Sequence, residues 1–351
     1  MRSVAKSKVV GECLKQNIQY TVLMKERKDS FRGNNLCDIS YENFKKSIFY
    51  KELYKKHKDE LILGIRDGYI NIYYNCDSIA KIVDSKLNSQ HITAEVASYY
   101  LTGESPNKKY IKVSGKELLD NYEVIKSNSN KRGKLEKQAQ ERLFIDNNMN
   151  VHSSWFCIDV EYTKSFADKP SMEDWRFDII AISKEKPFRV ALIEIKYGFG
   201  AIGGKSGITK HIKDYYKFHK NNSYEILKPE LKSIICSLIK LGVDVPETLH
   251  NINIDDFAIN PEYYFITLNN NKEVGRETLP METMAGYLFT EANGDWKAFK
   301  YSTKAGESGY YAIVGEDNSF KPVFLFSEAI LPELGIYDIL DESKYVKKII
   351  E

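Results

Sequence analysis

The segment RFDIIAISKEKPFRVALIEIK (176–196) carries two carboxylates and an ammonium at a spacing that strand geometry can turn into one site. Successive residues of a β-strand point to opposite faces, so Glu194 and Lys196 project together while Ile193 and Ile195 pack the other way. If the run that starts at Arg176 pairs antiparallel with the next through the turn at 183–188, Asp178 comes to lie beside Glu194. Hard divalent cations such as Mg2+ or Mn2+ are held by one or two carboxylates, with phosphate oxygens of a substrate completing the shell. Such an ion polarises a phosphodiester and acidifies bound water. A neighbouring lysine can stabilise charge in the transition state or help orient and deprotonate the attacking water. Glu-x-Lys by itself is also what any solvent-facing strand end shows. The conjunction is what counts: an apolar strand ending in charge, an acid on the strand before it, an acid on the helix before that, and a basic helix after it.

That helix is ITKHIKDYYKF (208–218), with Ile208, Ile212 and Tyr215 on one face. Lys205, Lys210, His211, Lys213 and Lys217 form a basic run interleaved with Tyr215 and Tyr216, a composition suited to phosphate contacts or simply to a solvated helix face. His211 has no metal-ligand spacing to His219, so it reads as a phosphate contact or as an ordinary surface or core histidine. Asp214 and Glu161 are further acids near the same region. The intervening stretch GFGAIGGKSG (198–207) ends in Gly-Lys-Ser after a strand and before a helix, the context of a phosphate-cradling loop. Its count fails: counted back from Gly204, the required glycine position holds Phe199, and Gly198 leaves one residue too many. A nucleotide hydrolase using Lys205 is therefore the weakest of the functional readings.

The elements that must position these residues follow from periodicity. LEKQAQERLF (135–144) puts Leu135, Ala139 and Leu143 on one helical stripe. Three short β-branched or aromatic runs come next, at 157–163, 176–183 and 188–197, then the basic helix, a second helix around 231–241 and a strand at 263–268. The tail reads as further strands at 296–301, 309–314 and 322–326. Upstream, ENFKKSIFYKELYKKHK (42–58) predicts one amphipathic helix carrying Phe44, Ile48, Phe49 and Leu53. LILGIRDGYINIYY (61–74) predicts a hairpin on its Asp67–Gly68 step, with a third strand from Ser78. Ser114 and Glu117 have capping-box spacing and open a helix through Leu118, Leu119, Tyr122 and Ile125. SNSNKRG (127–133) has no apolar side chain and predicts a surface junction. It divides an α+β N-terminal domain (1–128), assigned to target or partner recognition, from a catalytic domain with a β-rich extension (129–351).

From Gly133 to Leu268 the order helix, three strands, helix, strand, with an acid on one strand and Glu-x-Lys on the next, resembles the PD-(D/E)xK nuclease superfamily. Phe177 stands where the family name has proline. The resemblance implies an α/β fold with a restriction-endonuclease-like core, Asp178 and Glu194 as metal ligands for Mg2+ or Mn2+, and Lys196 as the lysine of the motif. Such families often add a carboxylate from the first helix, for which Glu136 is the first candidate and Glu141 the second. The activity implied is a metal-dependent endonuclease, most simply on DNA and of restriction or phage-defence type, with Lys205, Lys210, His211 and Lys213 contacting nucleic acid. The alternative on the same fold is an inactive nucleic-acid-binding or assembly module, and a homodimer or partner protein stays open.

Composition sets the outer limits. With 351 residues, 42% of them hydrophobic, the chain can close a sizeable core and is long for one domain, and its 20 Gly and 9 Pro exclude collagen-like repetition. The 51 Lys+Arg against 49 Asp+Glu leave a net charge of +2, so affinity for a polyanion must come from local clustering. Five cysteines, an odd number without a CxxC pair, argue against a disulfide framework and a structural zinc site. With no apolar leader and no long apolar run, the expectation is a cytoplasmic protein that neither enters nor crosses a membrane.

Overall fold

The Asp67–Gly68 step joins β1 (Ile62–Arg66) to β2 (Tyr69–Tyr74), which pair antiparallel with Arg66 opposite Tyr69, and Gly68 takes the positive φ that such two-residue turns require. The computed structural model describes residues 32, 36–83, 92–104, 109–166, 174–197, 208–268, 296–300, 309–314, 320 and 322–327. The hairpin continues through β3 (Asp77–Val83), β4 (Thr93–Ala97) and β5 (Tyr110–Ser114) into a five-stranded sheet in sequential order. Upstream, α1 (Asp38–Lys46) is shorter than its periodicity predicts. Ser47 is extended (φ −77°, ψ 163°) and its Oγ donates to Phe44 O at 2.6 Å, a local bond that competes with the helix ladder. The chain resumes as a π-turn over Phe49–Leu53, which still buries Phe49 and Leu53 but leaves Ile48 exposed.

Three short helices accompany this sheet: α2 (Ser98–Thr102) between β4 and β5, then α3 (Gly115–Asp120) and α4 (Tyr122–Asn130) after β5. The capping box forms as its spacing predicts, with Ser114 Oγ accepting from Glu117 N and Glu117 accepting from Ser114 N. The predicted surface junction at 127–133 is exposed at 127 and 130–133, but it is helical in its first part and buried at two positions. α4 runs through most of it, and Asn128 and Ser129 are buried. Their polar groups are matched: Asn128 Nδ2 donates to Tyr100 O, Tyr99 OH donates to Asn128 O, and Ser129 Oγ donates to Asp77 Oδ2. Two polar residues of such a segment can be buried when their polar groups find partners. Only the turn around Gly133, at φ 59°, separates α4 from the next helix.

That helix, α5 (Leu135–Met149), leads into a meander of β6 (Trp155–Lys164), β7 (Trp175–Ser183) and β8 (Val190–Tyr197), all antiparallel. Then come α6 (Ile208–Lys220), α7 (Tyr224–Leu241) and β9 (Glu262–Leu268), which lies parallel to β8, the pairing that a helical crossover permits. The tail strands β10 (Trp296–Lys300), β11 (Gly309–Val314) and β12 (Pro322–Ser327) complete a seven-stranded mixed sheet of order β10-β11-β12-β9-β8-β7-β6. The order of elements from 135 to 268 is the one read from the sequence.

β8 is buried along its whole length. Ile193 and Ile195 pack with Ala139 and Leu143 of α5, and Leu192 packs in the cluster of Ile212 and Tyr215 of α6. The sheet is therefore covered by α5 on one face and by α6 and α7 on the other. Leu63 and Ile65 of β1 belong to the same apolar cluster as Phe156 and Ile158 of β6. No helix among the described residues is long and apolar enough to cross a membrane.

Candidate metal and phosphodiester site

The site is built where regular pairing of β7 and β8 ends. The last registered pair is Ile179 with Ile193; one step further out, Asp178 Oδ2 accepts from Ile195 N at 2.7 Å. A side chain has taken over a ladder partner, and a backbone N–H holds the carboxylate in place. Glu194, 2% exposed, sits on the α6 side of β8. Its Oε1 receives Lys196 Nζ at 2.6 Å and lies 3.1 Å from His211 Nε2. Lys196 Nζ also donates to Ile195 O and lies 3.7 Å from Glu136 Oε1. Glu136 comes from the first turn of α5, and its Oε2 accepts from Tyr197 N.

A fifth charged group approaches from β6. The register pairs Val160 with Ile179 and Tyr162 with Phe177, so Glu161 falls opposite Asp178. Glu161 has φ 52°, a left-handed conformation that is rare for a residue with a side chain. A second irregularity, a register shift between Cys157 and Asp159, precedes it in the same strand. Glu161 Oε2 lies 3.4 Å from Lys137 Nζ, one residue beyond Glu136 on α5.

Burial and mutual repulsion perturb this set strongly. Burial pushes Asp178 up to about 7; Lys196 and the Ile195 N–H resist, and the charges of Glu161 and Glu136 add to the rise. Glu194 is raised well above the usual carboxylate range, first by burial and then by the charge of Asp178. Burial by itself would lower Lys196, but Glu194, Asp178 and Glu136 outweigh it and raise the ammonium above its ordinary value.

The chain matches no family model, no curated protein and no solved structure.

Asp178, Glu194, Lys196 and Glu136 are brought together as the sequence predicts. His211 joins them against Glu194 rather than on an open phosphate-contacting face. Lys210 is directed elsewhere: it is exposed and its Nζ pairs with Asp214 at 2.5 Å, which also takes Asp214 out of the acid set. The side chain of Lys213, together with Lys205 and the whole glycine-rich stretch at 198–207, lies outside the described residues. Glu141 is no part of the site. It is buried under the β2–β3 turn, where its carboxylate accepts from Cys76 N at 2.8 Å, and burial raises it to about 7. Sequence reasoning missed Lys137, whose signal was its place beside Glu136 at a helix start. It undervalued Glu161, whose signal was a second acid in an otherwise apolar strand.

Among the described residues, no three His, Cys, Asp or Glu side chains stand close enough together to hold a metal ion in this arrangement. Glu194 is drawn onto Lys196 and His211, and Asp178 onto Ile195 N. The donor chemistry nonetheless fits a hard cation, which needs only one or two carboxylates with waters and substrate oxygens. Glu194 is buried and Asp178 half-buried, and the charge of Asp178 raises the proton affinity of Glu194, an arrangement whose electrostatics a divalent charge would relieve.

Proposed function

We propose that this protein is a metal-dependent nuclease, hydrolysing phosphodiester bonds in nucleic acid and most simply in DNA. The observation that carries the reading is the convergence of Asp178, Glu194 and Lys196 where β7 and β8 part, with Glu136 of α5 and His211 of α6 closing around them. Asp178 and Glu194 would hold Mg2+ or Mn2+, which when bound supplies a polarised phosphodiester and an acidified water. Lys196 places its ammonium where charge develops on the phosphoryl oxygens, and Glu136 and Glu194 fix its position. His211, with Nε2 3.1 Å from Glu194 Oε1, orients that carboxylate. The sheet meander flanked by helices supports the restriction-endonuclease-like reading of the core.

The test is cleavage of plasmid DNA by purified protein with Mg2+ or Mn2+. Wild type is expected to nick or degrade it. Asp178→Ala and Lys196→Ala are expected to lose at least roughly a hundredfold in rate, the scale for groups acting in the transition state, with circular dichroism unchanged. Equal cleavage by wild type and both variants would sink the assignment. If none of the three cleaves, Mn2+ calorimetry separates a binding module from an active site: heat lost in Glu194→Ala favours the active site.

A further inference from the structure

Three cations crowd a single carboxylate oxygen beside this site. Asp77, at the head of β3 and 4% exposed, has its Oδ1 at 3.3 Å from Arg132 NH1, 3.5 Å from Lys134 Nζ and 3.9 Å from Lys137 Nζ. Asp77 offsets one of these charges and Glu161, 3.4 Å from Lys137 Nζ, offsets a second, so the group keeps a surplus of one. Cations held this close to one another repel, and neutralising Asp77 needs only one of them. The cations are held without being covered: their side chains are 34%, 40% and 26% exposed in the same order.

Neighbouring groups fix them further. Arg132 NH1 donates to Tyr100 OH at 2.6 Å, and its guanidinium lies 5.6 and 5.7 Å from the ring centroids of Tyr99 and Tyr100. Lys137 Nζ donates to Cys76 O at 2.9 Å. Side chains ordered in advance lose less freedom when they take up a ligand. The row also has a direction. It starts at the Gly133 turn, follows the first turn of α5, and ends where Lys137 reaches Glu161, opposite Asp178.

We propose that Arg132, Lys134 and Lys137 form a phosphate-binding track that receives the nucleic-acid backbone directly beside the acids of β7 and β8. The proposal takes the identity of the polyanion from the nuclease reading and assigns its docking to α5 and the N-terminal sheet. The basic face of α6 predicted from sequence is not needed for it, since Lys210 is paired with Asp214 there.

The test is fluorescence anisotropy of a labelled short DNA duplex with the full chain, in EDTA so that no cleavage intervenes, over a series of salt concentrations. Lys134→Gln combined with Lys137→Gln leaves Arg132 to offset Asp77. This double variant is expected to bind roughly tenfold or more weakly, with the slope of log affinity against log salt shallower by about 2. Lys56→Gln combined with Lys58→Gln, far from the track in the chain, is expected to match wild type. If the double variant does not fold, Lys134→Gln alone is read, with a slope change of about 1. Unchanged affinity and slope, no measurable binding by wild type, or equal weakening in the control pair each overturns the track. Binding lost through these lysines in a protein that never cleaves DNA leaves the track standing and refutes the nuclease reading. Cleavage by a protein whose binding ignores them does the reverse.

Discussion

At the scale of single residues the feature that matters most is the environment of Asp178, where burial pushes the carboxyl up to about 7 from its ordinary 3.8. For an acid raised on folding, the stability carried by the neutral form is complete below the ordinary value and is lost as pH rises through the folded value. Without a divalent ion, the folded protein should therefore weaken between about pH 4 and pH 7, and Glu194 and Glu141 act in the same direction. Asp178→Asn keeps an oxygen to accept from Ile195 N and removes the titration. Its urea midpoint in EDTA is expected to fall less than the wild-type midpoint between about pH 5 and pH 8; equal falls would show that Asp178 ionises normally. The same proton competes with a metal ion, because a ligating carboxylate must be ionised. Calorimetry with Mn2+ is expected to show roughly tenfold tighter binding at about pH 8 than at about pH 6, and affinity flat over that interval would contradict it.

At the scale of elements, what could be read in advance was what depends on neighbours in sequence. The Asp67–Gly68 hairpin, the Ser114–Glu117 capping box and the 193/195 against 194/196 alternation of β8 are local rules, and the structure follows them. The α1 break at Ser47 depends on one local hydrogen bond that outweighs a periodic pattern, the buried Asn128 and Ser129 of α4 depend on partners distant in sequence, and the left-handed Glu161 follows from no local rule. Asn128 and Ser129 look like linker residues until Tyr100 and Asp77 are placed beside them. Lys134 and Lys137 look like solvated lysines until Asp77 is. The Gly133 turn lies between α4 and the start of α5, the segment that carries Glu136 near Lys196 and Lys137 near Asp77. A Cβ at Gly133 would meet nothing within 4 Å, so the cost of Gly133→Ala is the backbone conformation alone, about 1 kcal/mol. Thermal unfolding is expected to show that loss, with Gly133→Asn losing less, since asparagine tolerates φ above zero. An alanine variant as stable as wild type would mean that the turn does not need its left-handed residue.

At the scale of the whole molecule the question is whether the two sheets act as one unit, and a buried charge network between them bears on it. Asp159, on the irregular stretch of β6, accepts from Arg66 NH1 of β1 at 2.8 Å and from Arg32 NH1 at 3.0 Å. Arg32 also lies 3.5 Å from Glu230 of α7, which in turn receives Tyr162 OH and Lys164 Nζ. Both arginines and both acids are buried. Removing one partner of such a network strands charge in a low dielectric and costs about 3–5 kcal/mol, so Asp159→Ala is expected to lower stability by that order. The sequence placed a domain boundary after residue 128, and a boundary of that kind predicts two unfolding steps. The shared apolar cluster and this network predict one. The three tryptophans, Trp155, Trp175 and Trp296, all belong to strands of the second sheet, so their fluorescence reports that sheet alone, while far-ultraviolet circular dichroism reports both. Coincident denaturant midpoints by the two probes, shifting together in Asp159→Ala, are expected of one cooperative unit. A dichroism transition that precedes the fluorescence transition, with only one of them moved by Asp159→Ala, would instead show an N-terminal sheet that unfolds on its own. The phosphate track, which draws on both sheets, would then have to assemble from separately folding parts.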